Sequence, residues 1–322
     1  MKSLCLACLL CGGVALASNA TGAVAQGFVA GANGVRIHYL DAGPRNAGLS
    51  LLLIPGWRVG ADIWNRQIRY FSSLGDRVVA IDSRSQGGSS VVYSGNSPEG
   101  RAADIKDVIG HLGLSHITLI GWSQGVQDVA AYVNSFGTRA VQSIVLVDAP
   151  VSDGPESAYV HPKAYKATLE GIGLFSRYPR RYSLGMMHAI ISRSLPSRVF
   201  VHLADESMKT PPSVAVAMLV QDLLTVDRRP YLKKFDKPTL VIAADHNGHN
   251  ALVKDERDMA RRLPMGKFVL IHYAAHAVFV DQPREFDRDV ETFIQRVVVD
   301  ESHGGQWHSA RLPVRFDPPG DA

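Results

Sequence analysis

The sequence predicts an α/β fold: a mostly parallel central sheet flanked by helices, with an inserted helical lid. Continuous apolar runs at 51–54, 78–81, 117–120, 143–147, 239–243 and 268–271 have the character of strands buried on both faces. Helix-period segments separate most of them, and that alternation puts helices on both faces of a parallel sheet. The alternation stops after Asp148-Ala149-Pro150 and resumes at Lys237-Pro238.

Residues 1–25 read as a secretory signal peptide. Lys2 precedes an apolar run over 4–16, and small residues end in Ala23-Val24-Ala25 before Gln26, a leader too short to remain in a bilayer as a spanning helix. Cleavage is expected after Ala25, with Ser18-Asn19-Ala20 as a second site, giving a periplasmic or secreted protein. The first part of the core is assigned to 26–150. Within it, Ser97-Pro98 opens a helix through Leu112, because proline at the first helical position is pre-set for a helical start. The lid, 151–236, reads as short helices broken at Pro179, Pro196 and Pro211-Pro212. The second part of the core spans 237–300, with Gln282-Pro283 opening a helix to Val297. Glycines and prolines in 301–322 suggest a tail that frays.

With 322 residues, 46% of them hydrophobic and 20% charged, the chain is long enough to bury a large core. Its formal net charge of +4 is scattered apart from short clusters such as Lys233-Lys234, and no nucleic-acid motif accompanies it. The three cysteines, Cys5, Cys8 and Cys11, all fall in the leader. The mature chain is therefore expected to have no disulfide, thiol nucleophile or zinc-thiolate site.

The most informative stretch is Gly121-Trp122-Ser123-Gln124-Gly125. It follows the apolar run 117–120 and precedes a helix-period segment over 126–136, so it reads as strand, sharp turn, helix. In that context G-x-S-x-G becomes a nucleophile elbow: glycines allow strand and helix to approach around a strained serine whose hydroxyl stays exposed.

With this motif the chain resembles the α/β-hydrolase superfamily over roughly 33–298. Asp82-Ser83-Arg84-Ser85-Gln86-Gly87-Gly88-Ser89 looks like the family's D-x-R-G-x-G-x-S turn, with Ser85 where glycine is usual. Ala274-Ala275-His276, followed by Asp281-Gln282-Pro283, looks like its catalytic-histidine loop. The resemblance makes His276 the base for Ser123, whose hydroxyl needs one to act as a nucleophile. His272 reads as structural.

The family usually places its acid after the strand at 239–243, and Asn247 occupies that position here. Two carboxylates are alternatives: Asp245, from a reshaped loop, and Asp148, at the end of the preceding core strand. The reading leans to Asp148. Pro55-Gly56-Trp57-Arg58 looks like the family's H-G-x-x loop with proline for histidine, which implies an oxyanion hole made by the backbone N–H groups of Trp57 and Gln124. Trp57, with Asp62-Ile63-Trp64 and Gln67 following, is similar to the branch of cofactor-free haloperoxidases and aryl esterases.

Aromatic and Met residues of the lid, among them Phe175, Tyr178, Tyr182, Met187 and Phe200, have the spacing of lid core more than of a substrate wall. Asp245, His246 and His249 lack a further ligand at metal spacing, so no metal is expected, and the mechanism calls for no cofactor. The resemblance implies an exported serine hydrolase acting on a small-molecule carboxylic ester, without nucleic-acid partner or stable membrane anchor. Lactonase or perhydrolase/haloperoxidase chemistry on the same triad is the alternative within catalysis. Outside it stands a non-catalytic ligand-binding protein on the same fold.

Overall fold

The computed structural model describes residues 23–152, 162–224, 226–246 and 252–302. The three cysteines, Asn247, His249 and most of the expected leader and tail lie outside them.

Eight strands form one sheet: β1 (Ala25–Ala30), β2 (Arg36–Ala42), β3 (Ser50–Ile54), β4 (Arg77–Ile81), β5 (Ile117–Trp122), β6 (Val141–Val147), β7 (Thr239–Ala244) and β8 (Gly266–Ile271). Their order is β1-β2-β4-β3-β5-β6-β7-β8. The β1–β2 and β2–β4 pairs are antiparallel and the rest parallel, which agrees with the mostly parallel sheet expected. All six apolar runs are strands. Their side chains alternate between two apolar layers: Leu51 and Leu53 pack with Trp64, Trp122 and Phe286, while Leu52 and Ile54 pack with Ile105, Val126 and Val129 on the other face. Burial on both sides is why β3 to β7 show no polar alternation, while β8 at the edge is half-buried over most of its length.

The helices around the sheet are α1 (Asn65–Ser73), α2 (Pro98–Leu112), α3 (Gln124–Phe136), α8 (Val253–Arg262), α9 (Val278–Asp281) and α10 (Pro283–Ser302). Four others, α4 (Pro162–Arg177), α5 (Pro179–Ile190), α6 (Ser197–Ser207) and α7 (Pro212–Leu224), lie between β6 and β7. Ser97 caps α2 by accepting from the Gly100 N–H at 3.3 Å, and Gly113 ends it with φ 61°, so both helix ends have the expected chemistry. Pro179 and Pro212 start α5 and α7, and Pro196 is the N-cap of α6. Phe175, Met187 and Phe200 are buried in the α4–α6 layer, whereas Tyr178 is exposed. Helix α10 runs on to Ser302 instead of stopping at Val297. Val297 is its last buried apolar residue, followed by exposed Val298 and Val299, so the sequence pattern marks the end of burial and not the end of the helix.

Candidate active site

The site sits at the carboxyl edge of the parallel strands, where α/β sheets commonly bind ligands. Ser123 follows the last residue of β5 at φ 56°, ψ −120°, a strained conformation for a residue with a side chain. It is held by its own N–H, which donates to the Val147 carbonyl at 3.0 Å, and by the start of α3. A Cβ at Gly121 would lie 2.4 Å from the Gly125 carbonyl oxygen, and one at Gly125 would lie 2.6 Å from that of Ile54. Only hydrogen fits at either position, which explains both glycines of the motif.

Asp148 directly follows β6 beside this turn, and His276 lies in the loop after β8. His276 Nε2 is 2.7 Å from Ser123 Oγ, and His276 Nδ1 is 2.7 Å from Asp148 Oδ2. The other carboxylate oxygen of Asp148 accepts the Ala244 N–H at 2.7 Å. Burial pushes the Asp148 carboxyl up, but hydrogen bonds from His246 and His276 and their charge outweigh it and hold it below the ordinary range. The carboxylate is therefore ionised at neutral pH, as a partner for an imidazolium must be.

Asp245 does not join this relay. It follows β7, and its carboxylate accepts from His272 Nδ1 at 3.0 Å and from the Ala274 N–H at 3.4 Å. His246 takes the place beside the acid instead, with Nε2 2.8 Å from Asp148 Oδ2. Burial lowers the His246 imidazole, yet the Asp148 hydrogen bond and charge raise it above its usual value. The sequence drew attention to His246 only as a neighbour of Asp245; nothing in it signals the contact with Asp148, which follows another strand.

Trp57 and Gln124 bracket the serine. A Cβ at Gly56 would touch Ser123 Cβ at 3.0 Å, so the loop after β3 passes directly over Ser123. Among the described residues, no acceptor takes the N–H of Trp57 or of Gln124. That loop is fixed by Asp82, which accepts from the N–H groups of Ala61 and Gly88 and pairs with His38. Arg84 forks onto Asp104 of α2 at 2.6 and 2.7 Å. Ser85 takes φ 63° where a glycine would be unstrained, and its hydroxyl joins Val92 and Asn96.

The lid reaches the same turn. The Trp57 indole donates to the Ala215 carbonyl of α7 at 2.9 Å. The Gln124 carboxamide donates to Asp222 of α7, and Asp222 also holds Arg101, which bonds Asp128 of α3. Asp281 ties the histidine loop to the lid, accepting from Ala275 N at 2.7 Å and from the Ser192 and Arg193 N–H groups. Asp222 carries no motif in the sequence, and Asp281 stands there only as part of the histidine-loop pattern.

A family model described as alpha/beta hydrolase family matches residues 51–289. A non-heme chloroperoxidase of Kitasatospora aureofaciens is 25% identical over 285 residues, covering 82% of this chain and 98% of that protein. A bifunctional esterase/perhydrolase of Acinetobacter calcoaceticus is 36% identical over 124 residues, 38% of this chain and 45% of its own length. The crystal structure of a bromoperoxidase from Bacillus anthracis aligns with a TM-score of 0.76 at 22% identity, over 84% of this chain and 100% of that one. At that identity the likeness shows the fold alone.

Proposed function

The chain belongs to the alpha/beta hydrolase family, and on that premise we propose that it is an exported serine hydrolase that cleaves a small-molecule carboxylic ester or lactone. The observation that carries this reading is the continuous Ser123–His276–Asp148 relay, with both links at 2.7 Å. In the proposed cycle Ser123 Oγ attacks the acyl carbon while His276 Nε2 takes its proton, and Asp148 stabilises the resulting imidazolium. The N–H groups of Trp57 and Gln124 receive the oxyanion. His276 then protonates the departing alkoxide, leaving an acyl-serine. Water, deprotonated by His276, releases the acid. Asp245 has no step in this cycle.

The test is hydrolysis of short and medium p-nitrophenyl esters by the mature chain and by Ser123→Ala. Rapid turnover that vanishes in the variant supports the proposal. Equal inactivity of both chains on esters and lactones defeats it and favours a ligand-binding protein on this fold.

A second reading keeps the acyl-enzyme and substitutes hydrogen peroxide for water, releasing a peracid. The relatives named chloroperoxidase and esterase/perhydrolase favour keeping it. Peracid formation that depends on Ser123, measured alongside hydrolysis, separates the two. Among the described residues no helix is long and apolar enough to cross a membrane. Export rests on the leader, and its test is whether the secreted chain begins at Gln26.

A further inference from the structure

Asp148 Oδ2 faces two imidazoles, at 2.7 Å from His276 Nδ1 and 2.8 Å from His246 Nε2. The three donor atoms lie within 4.8 Å of one another. Ester hydrolysis uses two of these groups and leaves His246 without a step. Two imidazole nitrogens and one carboxylate oxygen form a donor set that suits zinc-class ions, whereas calcium and magnesium prefer shells of oxygen. We propose that Asp148, His246 and His276 form a binding site for a zinc-class divalent cation, and that its occupancy switches the catalytic relay off. The binding half stands on this geometry; the inhibitory half rests on the serine-hydrolase reading above.

The fit requires side-chain adjustment and no new backbone path. Zinc bonds of about 2.0–2.1 Å in a tetrahedral shell place donors about 3.3 Å apart, so the two N···O contacts open by roughly half an ångström while the two imidazole nitrogens, within 4.8 Å of each other, draw in toward that spacing. The His246 and His276 side chains are 33% and 25% exposed, which gives an ion an approach and leaves the fourth position to water. The Ala244 N–H on Asp148 Oδ1 keeps Oδ2 directed at both rings, the kind of outer contact that orients a metal-binding carboxylate. Among the described residues, this is the one group of three such donors. His38–Asp82, His202–Asp62 and His272–Asp245 offer two each.

Inhibition follows from the two nitrogens of one ring. As a base, His276 must carry its proton on Nδ1 and offer the Nε2 lone pair to Ser123. A cation bound at Nδ1 uses that nitrogen's lone pair, so the proton moves to Nε2. Nε2 then donates to Ser123 Oγ, and the serine proton has no acceptor. His246 frees its Nε2 in the same way, by passing the proton to its own Nδ1 or, from the charged ring, by releasing one to solvent. No oxidant or reductant is involved.

The experiment titrates zinc chloride into the mature wild-type protein, by calorimetry and by ester turnover. One zinc per chain should bind, with loss of turnover that a chelator restores. His246→Gln should weaken binding, and inhibition relative to its own zinc-free rate, by at least the roughly 10–100-fold that loss of an outer-sphere partner costs. His246→Cys should retain both through its thiolate, and Ser123→Ala should bind zinc as the wild type does. Absence of binding at millimolar zinc overturns the proposal. So does wild-type sensitivity in His246→Gln, because the ion would then sit elsewhere. If the wild type cleaves no ester, the serine-hydrolase reading fails, and calorimetry on the same variants still decides the site.

Discussion

The indole Nε1 of Trp122 donates to the backbone carbonyl of His276 at 2.8 Å. Trp122, the neighbour of Ser123, therefore holds the residue proposed as its base, and one bond joins the end of β5 to the loop after β8. Trp122 is itself fixed, edge-on to Phe279 at 5.1 Å and to Trp64 at 6.4 Å between ring centroids. The Ser123–His276 separation is thus set through a packed indole as well as through the backbone.

Trp122→Phe keeps an aromatic ring in that layer and removes the N–H. The His276 carbonyl loses its partner, at a cost of about 1–3 kcal/mol in stability. A base displaced by a fraction of an ångström is expected to lower kcat by about tenfold or more while KM changes little. Steady-state kinetics and denaturant melts on one preparation check both effects. A stability loss with unchanged kcat would show that the bond serves the fold alone.

Asp148→Asn and Asp245→Asn separate the two carboxylates. An amide at 148 still orients the imidazole but cannot balance its charge, and kcat is expected to fall by about 10⁴-fold, as in the serine-protease triad. Asp245 meets His272, whose side chain is 46% exposed, so its amide should leave kcat near wild type. Comparable losses in both variants would remove the distinction drawn from the hydrogen bonds.

Six strands were legible because the apolar run of each has no gaps; five are buried on both faces, and β8, the parallel edge, is half-buried over most of its length. β1 and β2 were not. They form the antiparallel edge, half exposed, with Gln26, Arg36, His38 and Asp41 among their residues, and they resemble loop by composition. Ser123 and His276 could be found because each lies in a local pattern between a strand and a helix. Choosing between Asp148 and Asp245 needed the third dimension, since both follow core strands and differ in which histidine their carboxylates meet. The burial of Arg58 and Asp222 was not legible either: a charged residue under a lid has no sequence period of its own.

Arg58 makes a prediction of unusual sign. Its side chain is 1% exposed, its guanidinium lies 3.9 Å from the Phe175 ring centroid, and its hydrogen bonds go to Ser183, Ser207 and Met208. Nε and Nη1 have no partner, and no carboxylate pairs with it among the described residues. Burial lowers its pKa to about 10. Ser183 and Ser207 keep their bonds to the Pro179 and Ala204 carbonyls without it. A buried charge without a counter-ion is costly, so Arg58→Met should be neutral or stabilising by about 1–4 kcal/mol, the range seen when buried ionic groups give way to apolar ones. A clear loss in a denaturant melt would mean that the aromatic and serine contacts outweigh the desolvation.

Asp128 should make stability depend on pH. Its carboxyl is fully buried beside Arg101, which it shares with Asp222, and Oδ2 has no partner. Burial pushes its pKa up to about 7 against the pull of Arg101. The folded protein thus binds this proton more tightly than the unfolded chain, whose aspartates titrate near about 4. The resulting stability is fully present below the unfolded value and is lost as pH rises through about 7. Asp128→Asn keeps a neutral side chain of the same shape at every pH and removes this contribution to the slope. Denaturant melts of both proteins from about pH 5 to about pH 8 give the difference curve, with other titrating groups cancelling. The wild type should weaken relative to the variant as pH rises, and parallel curves would show that Asp128 is ionised in the fold throughout, with Arg101 outweighing burial.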